Sequence, residues 1–307
     1  MVLKNFEELT GRVRESSGMR RVAVVAAEDE HSLEAALRGR DAGIAEPLLV
    51  GRRPAIEAIL ERLGASIDAA AIIDAPDERA AAAAGVALVA SGRADFLMKG
   101  RLQTADLLRA VVDKTSGLRS GGVMSHIAVD EIPGHHKLVF ISDGGMLTYP
   151  DLAQKRAIIE NAVRVLMRFG YSRPKVAVLA AVETVNEKMS ECVDAAELKR
   201  LNADGWLSEC VVEGPISYDL AMSAEAAQIK GYSSPVAGDA DILVVPSIAA
   251  GNILGKCLIY SAGARMAGLV VGAAAPIVLT SRGASADEKF LSLVIAAAAA
   301  GQGNAAA

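Results

Sequence analysis

Four times before residue 113 a short, uninterrupted apolar run gives way to a stretch with helical spacing. Residues 21–27 precede Leu33, Ala36 and Leu37; residues 47–51 precede Ile56, Ile59 and Leu63; residues 71–74 precede the alanine-rich 77–90; residues 95–98 precede 104–112. A strand that is apolar at every position, not at every second one, must be covered on both faces, and intervening helices supply that cover. The alternation predicts a mostly parallel α/β sheet. With 52% apolar residues, only 4% aromatics and 28 glycines, the composition suits helices packed closely on strands and excludes disorder and collagen-like structure.

The later pattern differs. Residues 123–129 and 137–142 read as two strands joined by Pro133-Gly134-His135-His136, followed by a long helix over 149–170. Further buried strands are expected at 175–181 and 241–246, separated by a polar, helix-capable stretch, and a last helix at 286–300. The length of 307 residues fits two domains. The strand-rich passage before Tyr149 is the expected first crossing, giving one discontinuous domain from 1–148 with 273–307 and a second from 149–272.

A net charge of -5 without a long basic run argues against generic nucleic-acid binding. Mean hydropathy is +0.31, yet no uncharged stretch reads as a bilayer span: 266–281 is broken by Pro276 and glycine, and the run from Phe290 dissolves into Gly301, Gln302 and Gly303. Glu7 and Glu8 stand where a secretory signal would be basic and then apolar, so a cytoplasmic protein is expected. Cys192, Cys210 and Cys257 form no CxxC or zinc pattern and suit reduced thiols.

Ligands of open α/β sheets collect at the carboxyl ends of strands, where helix N-termini present free N–H groups. Four segments have that placement. In 98–106, Lys99 and Arg101, with Arg109 further on, either meet a phosphate or remain solvated charges. In 142–146, Asp143-Gly144-Gly145 is either a ligand loop or an ordinary turn. The third, 247–256, carries Asn252 and Lys256 and imitates a P-loop, but Gly251-xxx-Gly255-Lys256-Cys257 is one residue short and ends on Cys in place of Ser or Thr. In the fourth, 277–288, a hydroxyl, a guanidinium and two carboxylates leave a buried strand at a helix start. There Arg282 suits bidentate phosphate binding, Ser281 donates to developing charge, and Asp287 or Glu288 acts as a base; the structural alternative is that Ser285 caps the helix and both acids complement its dipole. His31, His126, His135 and His136 have no metal-ligand spacing, and neither Gly-x-Ser-x-Gly nor Gly-x-Gly-x-x-Gly occurs.

The motifs Leu97-Met-Lys-Gly100 with Thr104-Ala-Asp-Leu-Leu-Arg109, 176–183, 234–246, Gly251-Asn-Ile253 and Ala275-Pro-Ile-Val-Leu-Thr-Ser-Arg282 together resemble the phosphate acetyl/butyryltransferase family, its phosphate butyryltransferase-like branch most of all. The resemblance implies two α/β domains of the isocitrate/isopropylmalate dehydrogenase type with an interdomain cleft, and a homodimer or higher oligomer. It implies the reaction acyl-CoA + phosphate = acyl phosphate + CoA for acetyl to butyryl groups, with CoA as substrate, no further cofactor and no metal. Ser281 and Arg282 match the family's active-site Ser-Arg pair, and Arg109 a basic residue after its Thr-Ala-Asp motif. The catalytic acid follows that pair by a few residues: counting favours Glu288, residue type Asp287. Lys99, Asn252 and Lys256 are substrate-binding candidates. A domain of this kind that senses acyl-CoA or acyl phosphate without turnover is the alternative function. A metal-dependent dehydrogenase of similar fold would need an aspartate cluster that the sequence does not offer.

Overall fold

The computed structural model describes residues 2–16, 18–115, 118–281 and 283–300. The chain divides into two compact units, residues 6–122 with 267–307 and residues 1–5 with 123–266.

The first unit runs α1 (Phe6–Ser16), β1 (Arg20–Val25), α2 (Glu30–Asp41), β2 (Ala45–Gly51), α3 (Arg53–Arg62), β3 (Ile72–Asp74), α4 (Glu78–Ala90), β4 (Phe96–Lys99) and α5 (Thr104–Val111). The second follows with β5 (Ser125–Glu131), β6 (Val139–Ser142), α6 (Leu152–Arg168), β7 (Lys175–Leu179), α7 (Ser190–Ala203), β8 (Val211–Ile216), α8 (Tyr218–Met222), α9 (Ala224–Ile229), β9 (Ile242–Val244) and α10 (Ile248–Ala262). The chain then returns through β10 (Arg265–Val271), β11 (Ile277–Val278) and α11 (Ala286–Ala299).

Strands of the first unit are ordered β3-β2-β1-β4-β11-β10 and are parallel except for β10 against β11. Val22 to Val25 are fully buried, as are all four residues of β4 to within 4%, which is why these strands read as unbroken apolar runs. Asp29, Asp77 and Ser285 cap α2, α4 and α11 by accepting a backbone N–H from the first turn. At Gly39 of α2 a side chain would meet Leu293 of α11 at 2.9 Å, so glycine lets these helices approach closely.

In the second unit the order is β5-β6-β9-β7-β8, with β5 and β6 antiparallel and the rest parallel. A capping box of Asp151 and Gln154 starts α6, and Gly263, at φ 71°, ends α10.

The α/β class with mostly parallel sheets and flanking helices is the one expected, but the crossings fall at 122/123 and 266/267 instead of 148/149 and 272/273. The reason is strand pairing: β6 joins β9 through Phe140↔Ile242 to Ser142↔Val244, so the hairpin opens the second unit and does not close the first. Among the described residues no helix is long and apolar enough to cross a membrane.

Candidate active site

The site begins where β1, β4 and β11 end together. Val25 pairs with Lys99 and Val278 with Met98, so the segments leaving these strands emerge side by side. Gly100 donates its N–H to Val25 O at 2.8 Å and Arg101 to Ala26 O at 2.7 Å, while Ala26 takes a φ of 53°. A Cβ on Gly100 would lie 2.2 Å from Ala26 O and 2.8 Å from Val25 O, so only glycine permits this strand end. Gly100→Ala is expected to cost about 1–3 kcal/mol through overpacking, against no loss for Gly11→Ala, whose Cβ meets nothing within 4 Å; urea unfolding of the pair checks this.

Lys99 is buried, with Nζ 3.4 Å from the Gly100 carbonyl oxygen. The helix that follows, α5, begins at Thr104, and Gln103 before it provides no side-chain cap, leaving first-turn N–H groups suited to an anion. Arg109 is placed differently from its neighbours: it is largely exposed and bonds Asp106 at 2.6 Å, so phosphate contact requires exchange of that partner.

Beyond β11, Ser281 is exposed. Its carbonyl oxygen accepts from Ala284 N–H at 3.1 Å and its Oγ from Gly283 N–H at 3.4 Å, forming a turn into α11. Arg282 lies outside the described residues. Thr280 Oγ1, just before this turn, is buried and has no hydrogen-bond partner among the described residues.

The first turn of α11 sorts its charges. Asp287 pairs with Arg38 of α2 at 3.2 Å, and the Arg38 guanidinium also lies 4.3 Å from the Phe290 ring centre. Lys289 turns inward, 3% exposed, with Nζ 2.9 Å from Asp29 Oδ2 and 2.8 Å from Ser32 Oγ. Burial alone would raise the Asp29 pKa, but hydrogen bonds from Ser32 and Lys289 and the Lys289 charge outweigh it and hold the carboxyl below its ordinary value. Glu288 is left between them. Ser285 Oγ accepts its backbone N–H at 3.1 Å, while its carboxylate makes no hydrogen bond or ion pair among the described residues. Burial pushes the Glu288 pKa up, with the Lys289 charge pulling the other way. Capping and a candidate base therefore coexist in one turn.

Asn252 and Lys256 belong to the second unit, both exposed on α10. Helix begins at Ile248 with Ser247 as cap, so Gly251 and Gly255 lie in helical turns and no phosphate loop forms. Gly251 serves close packing: a Cβ there would lie 2.7 Å from Gly144 Cα. Asp143 is a turn organiser, its carboxylate accepting from Gly145 and Met146 at 2.8 Å and from His126 at 3.1 Å. At the ends of β7 and β8, Ser217 and Lys230 bond Glu183 at 2.6 and 3.0 Å, and Lys230 reaches Asp219 at 3.0 Å. Hydrogen bonds to Asp219 itself, from Ser217 and then Lys230, lower its pKa to about 2. The adjoining cavity of about 320 Å³ sets carboxylates Glu183 and Glu213 against one ammonium, Lys199, a balance that disfavours phosphate.

Asp29, Arg38 and Lys289 were not singled out by the sequence. One signal was available for Lys289, a charge set four residues before Leu293 on the buried face of an apolar helix.

Parallel strand ends with a buried ammonium, a hydroxyl and an acid without an ion pair among the described residues form the kind of place where α/β enzymes bind their ligands. The family model described as phosphate acetyl/butaryl transferase matches residues 78–297. Phosphate butyryltransferase of Clostridium acetobutylicum is 41% identical over 300 residues, 98% of this chain and 99% of that protein. Phosphate acetyltransferase of Thermotoga maritima is 44% identical over 278 residues, 91% of this chain and 94% of that protein. A solved branched-chain phosphotransacylase from Enterococcus faecalis V583 matches with a TM-score of 0.80 and 34% identity, over 92% of this chain and 99% of that one. The chain belongs to the phosphate acetyl/butyryl transferase family.

Proposed function

We propose that this chain transfers a short-chain acyl group, acetyl to butyryl, between CoA and inorganic phosphate, with Glu288 as the general base. The observation that carries the assignment is the sorting of the α11 turn: Asp287 and Lys289 are occupied by α2, and Glu288 has no pairing partner among the described residues. In the direction from acyl phosphate, the Glu288 carboxylate takes the CoA thiol proton as sulfur attacks the carbonyl carbon, and the C–O bond to phosphate then breaks. Ser281 donates to the charge developing on oxygen, while Lys99 and Arg282 hold the departing phosphate. In reverse, phosphate attacks acyl-CoA and protonated Glu288 returns its proton to the leaving sulfur. No covalent enzyme intermediate is needed, because the rate gain comes from positioning and charge in a ternary complex.

Arg109 from α5 and Asn252 and Lys256 from α10 belong to the proposal as substrate-binding residues. Turnover of acetyl-, propionyl- and butyryl-CoA with phosphate, followed by thiol release, tests the whole reading. Binding of CoA without turnover would leave the sensing function in its place. Activity is expected to survive EDTA, since among the described residues no group of three His, Cys, Asp or Glu side chains could hold a metal ion. Loss on chelation, restored by one divalent cation, would overturn the metal-free mechanism.

The proposal also includes self-association and a cytoplasmic setting. Ile253 and Tyr260, 69% and 84% exposed and seven residues apart on α10, support a helix face that binds a second copy. The cysteines, all unpaired, suit a reducing compartment. Light scattering that returns the mass of one chain would remove the oligomer from the proposal.

A further inference from the structure

Asp287, Glu288 and Lys289 are consecutive on α11, so their side chains leave the helix about 100° apart. A rotation of the turn that moves one of them moves all three. Two are fastened to the same neighbour, α2: Asp287 to Arg38 on one side, Lys289 to Asp29 and Ser32 on the other. The Lys289 contact is the expensive one. A buried ammonium costs several kcal/mol unless paired and hydrogen-bonded, whereas methionine would fill the same space without a charge. Packing alone therefore gives no reason for lysine at a position that is 3% exposed. Its counter-charge, Asp29, lies in the segment leaving β1, and β1 ends beside Lys99.

We propose that Lys289, held by Asp29, is a positioning residue for Glu288: it fixes the rotation of the first turn of α11 and sets the charge beside the Glu288 carboxylate. The inference rests on the reading of Glu288 as the base. Charged and titratable groups on the elements packed against α11 are Glu7, Glu8, Arg12, Arg14 and Glu15 of α1, Asp29, Glu30, His31, Glu34, Arg38, Arg40 and Asp41 of α2 and its cap, and Lys99 of β4, beside Asp287 and Lys289 of α11 itself. Of these, Lys289 is the one whose charge acts on the Glu288 pKa, lowering it against the effect of burial. Asp29 in turn offsets that lysine.

The two partners should therefore shift Glu288 in opposite directions. The experiment is the pH dependence of kcat/KM for butyryl phosphate plus CoA, whose acid limb reports deprotonation of the base in the free enzyme. Lys289→Met is expected to move the acid limb up by about half to one pH unit, which on the limb is a roughly 3- to 10-fold loss at fixed pH. Asp29→Asn, which retains a good cap for α2, is expected to move it down, and Lys289→Arg to leave it near its original place. Limbs that stay put while melting temperature falls would overturn the proposal and leave Lys289 as a staple between helices. Should Lys289→Met fail to fold, the downward shift in Asp29→Asn and the fixed limb in Lys289→Arg decide the matter. Glu288→Gln separates the two readings: full activity there removes the base assignment itself, whereas an inactive Glu288→Gln with unmoved limbs in the other variants removes only the role of Lys289.

Discussion

Glu288→Gln is expected to lower kcat by about 10² to 10⁴, the usual contribution of a general base, with little change in melting temperature. The stability half follows from what the side chain does not do. Its carboxylate holds no ion pair or hydrogen bond among the described residues, and the Ser285 cap acts on the Glu288 backbone N–H, which the substitution leaves in place. Asp287→Asn should give the converse. It weakens a pair with Arg38 whose side chains are 42% and 46% exposed, a contact worth about 0–1 kcal/mol, and should leave turnover near that of the parent. The pH profile carries a sign as well. From acyl phosphate the base must be ionised, so with its pKa raised by burial the acid limb sits above the ordinary carboxylate value. In the reverse direction the acid must be protonated, and activity falls as pH rises through the same value. Thiol-release kinetics and calorimetry on both variants check the pattern. An active Glu288→Gln beside an inactive Asp287→Asn would exchange the two roles.

The choice between these acids shows how far the residues could be read in advance. Their presence after a Ser-Arg pair at a strand end was visible, because cap, dipole acid and anion site all require polar residues at a helix start. Which of them is occupied was not, because the occupant, Arg38, stands 249 residues earlier on α2, and no local spacing encodes a helix-to-helix contact. The same limit governs the fold. Strands β1 to β4 each carry an unbroken apolar run, with their charged residues confined to or near the ends, and each precedes a helix, so periodicity alone found them. β8 was missed because it lies inside the stretch between 181 and 241 that reads as polar and helix-capable, and α10 because the glycines of 247–256 read as a loop imitating a P-loop; in the structure Gly251 is the point where α10 meets the backbone of Gly144. The domain crossing moved because β6 finds its parallel partner in β9, about a hundred residues on, a pairing that the hairpin sequence itself does not announce.

The second large effect concerns stability and lies away from the α11 turn. Asp130 shares a face of β5 with Ala128, and Ile132 follows just past the strand end; both apolar residues pack in the layer containing Leu254 and Leu258 of α10. It is fully buried, and neither carboxylate oxygen has a hydrogen-bond partner among the described residues. Burial pushes its pKa up to about 7. The neighbouring titratable groups give no relief, since Tyr218 is itself shifted upward by burial and then by Asp130 and Cys257. In the unfolded chain the same carboxyl titrates at its ordinary value of 3.8, so between that pH and about 7 the native state holds a proton that the unfolded state has released. Stability contributed by the neutral acid is thus complete below 3.8 and is lost as pH rises to about 7, by on the order of 4 kcal/mol in all. Asp130→Asn keeps the shape and cannot ionise. Its urea midpoint should match the parent near pH 4, exceed it by a gap that widens up to pH 7, and keep that advantage at pH 8. Parallel curves for the two proteins across this range would mean that the Asp130 carboxylate is charged and partnered in the native protein.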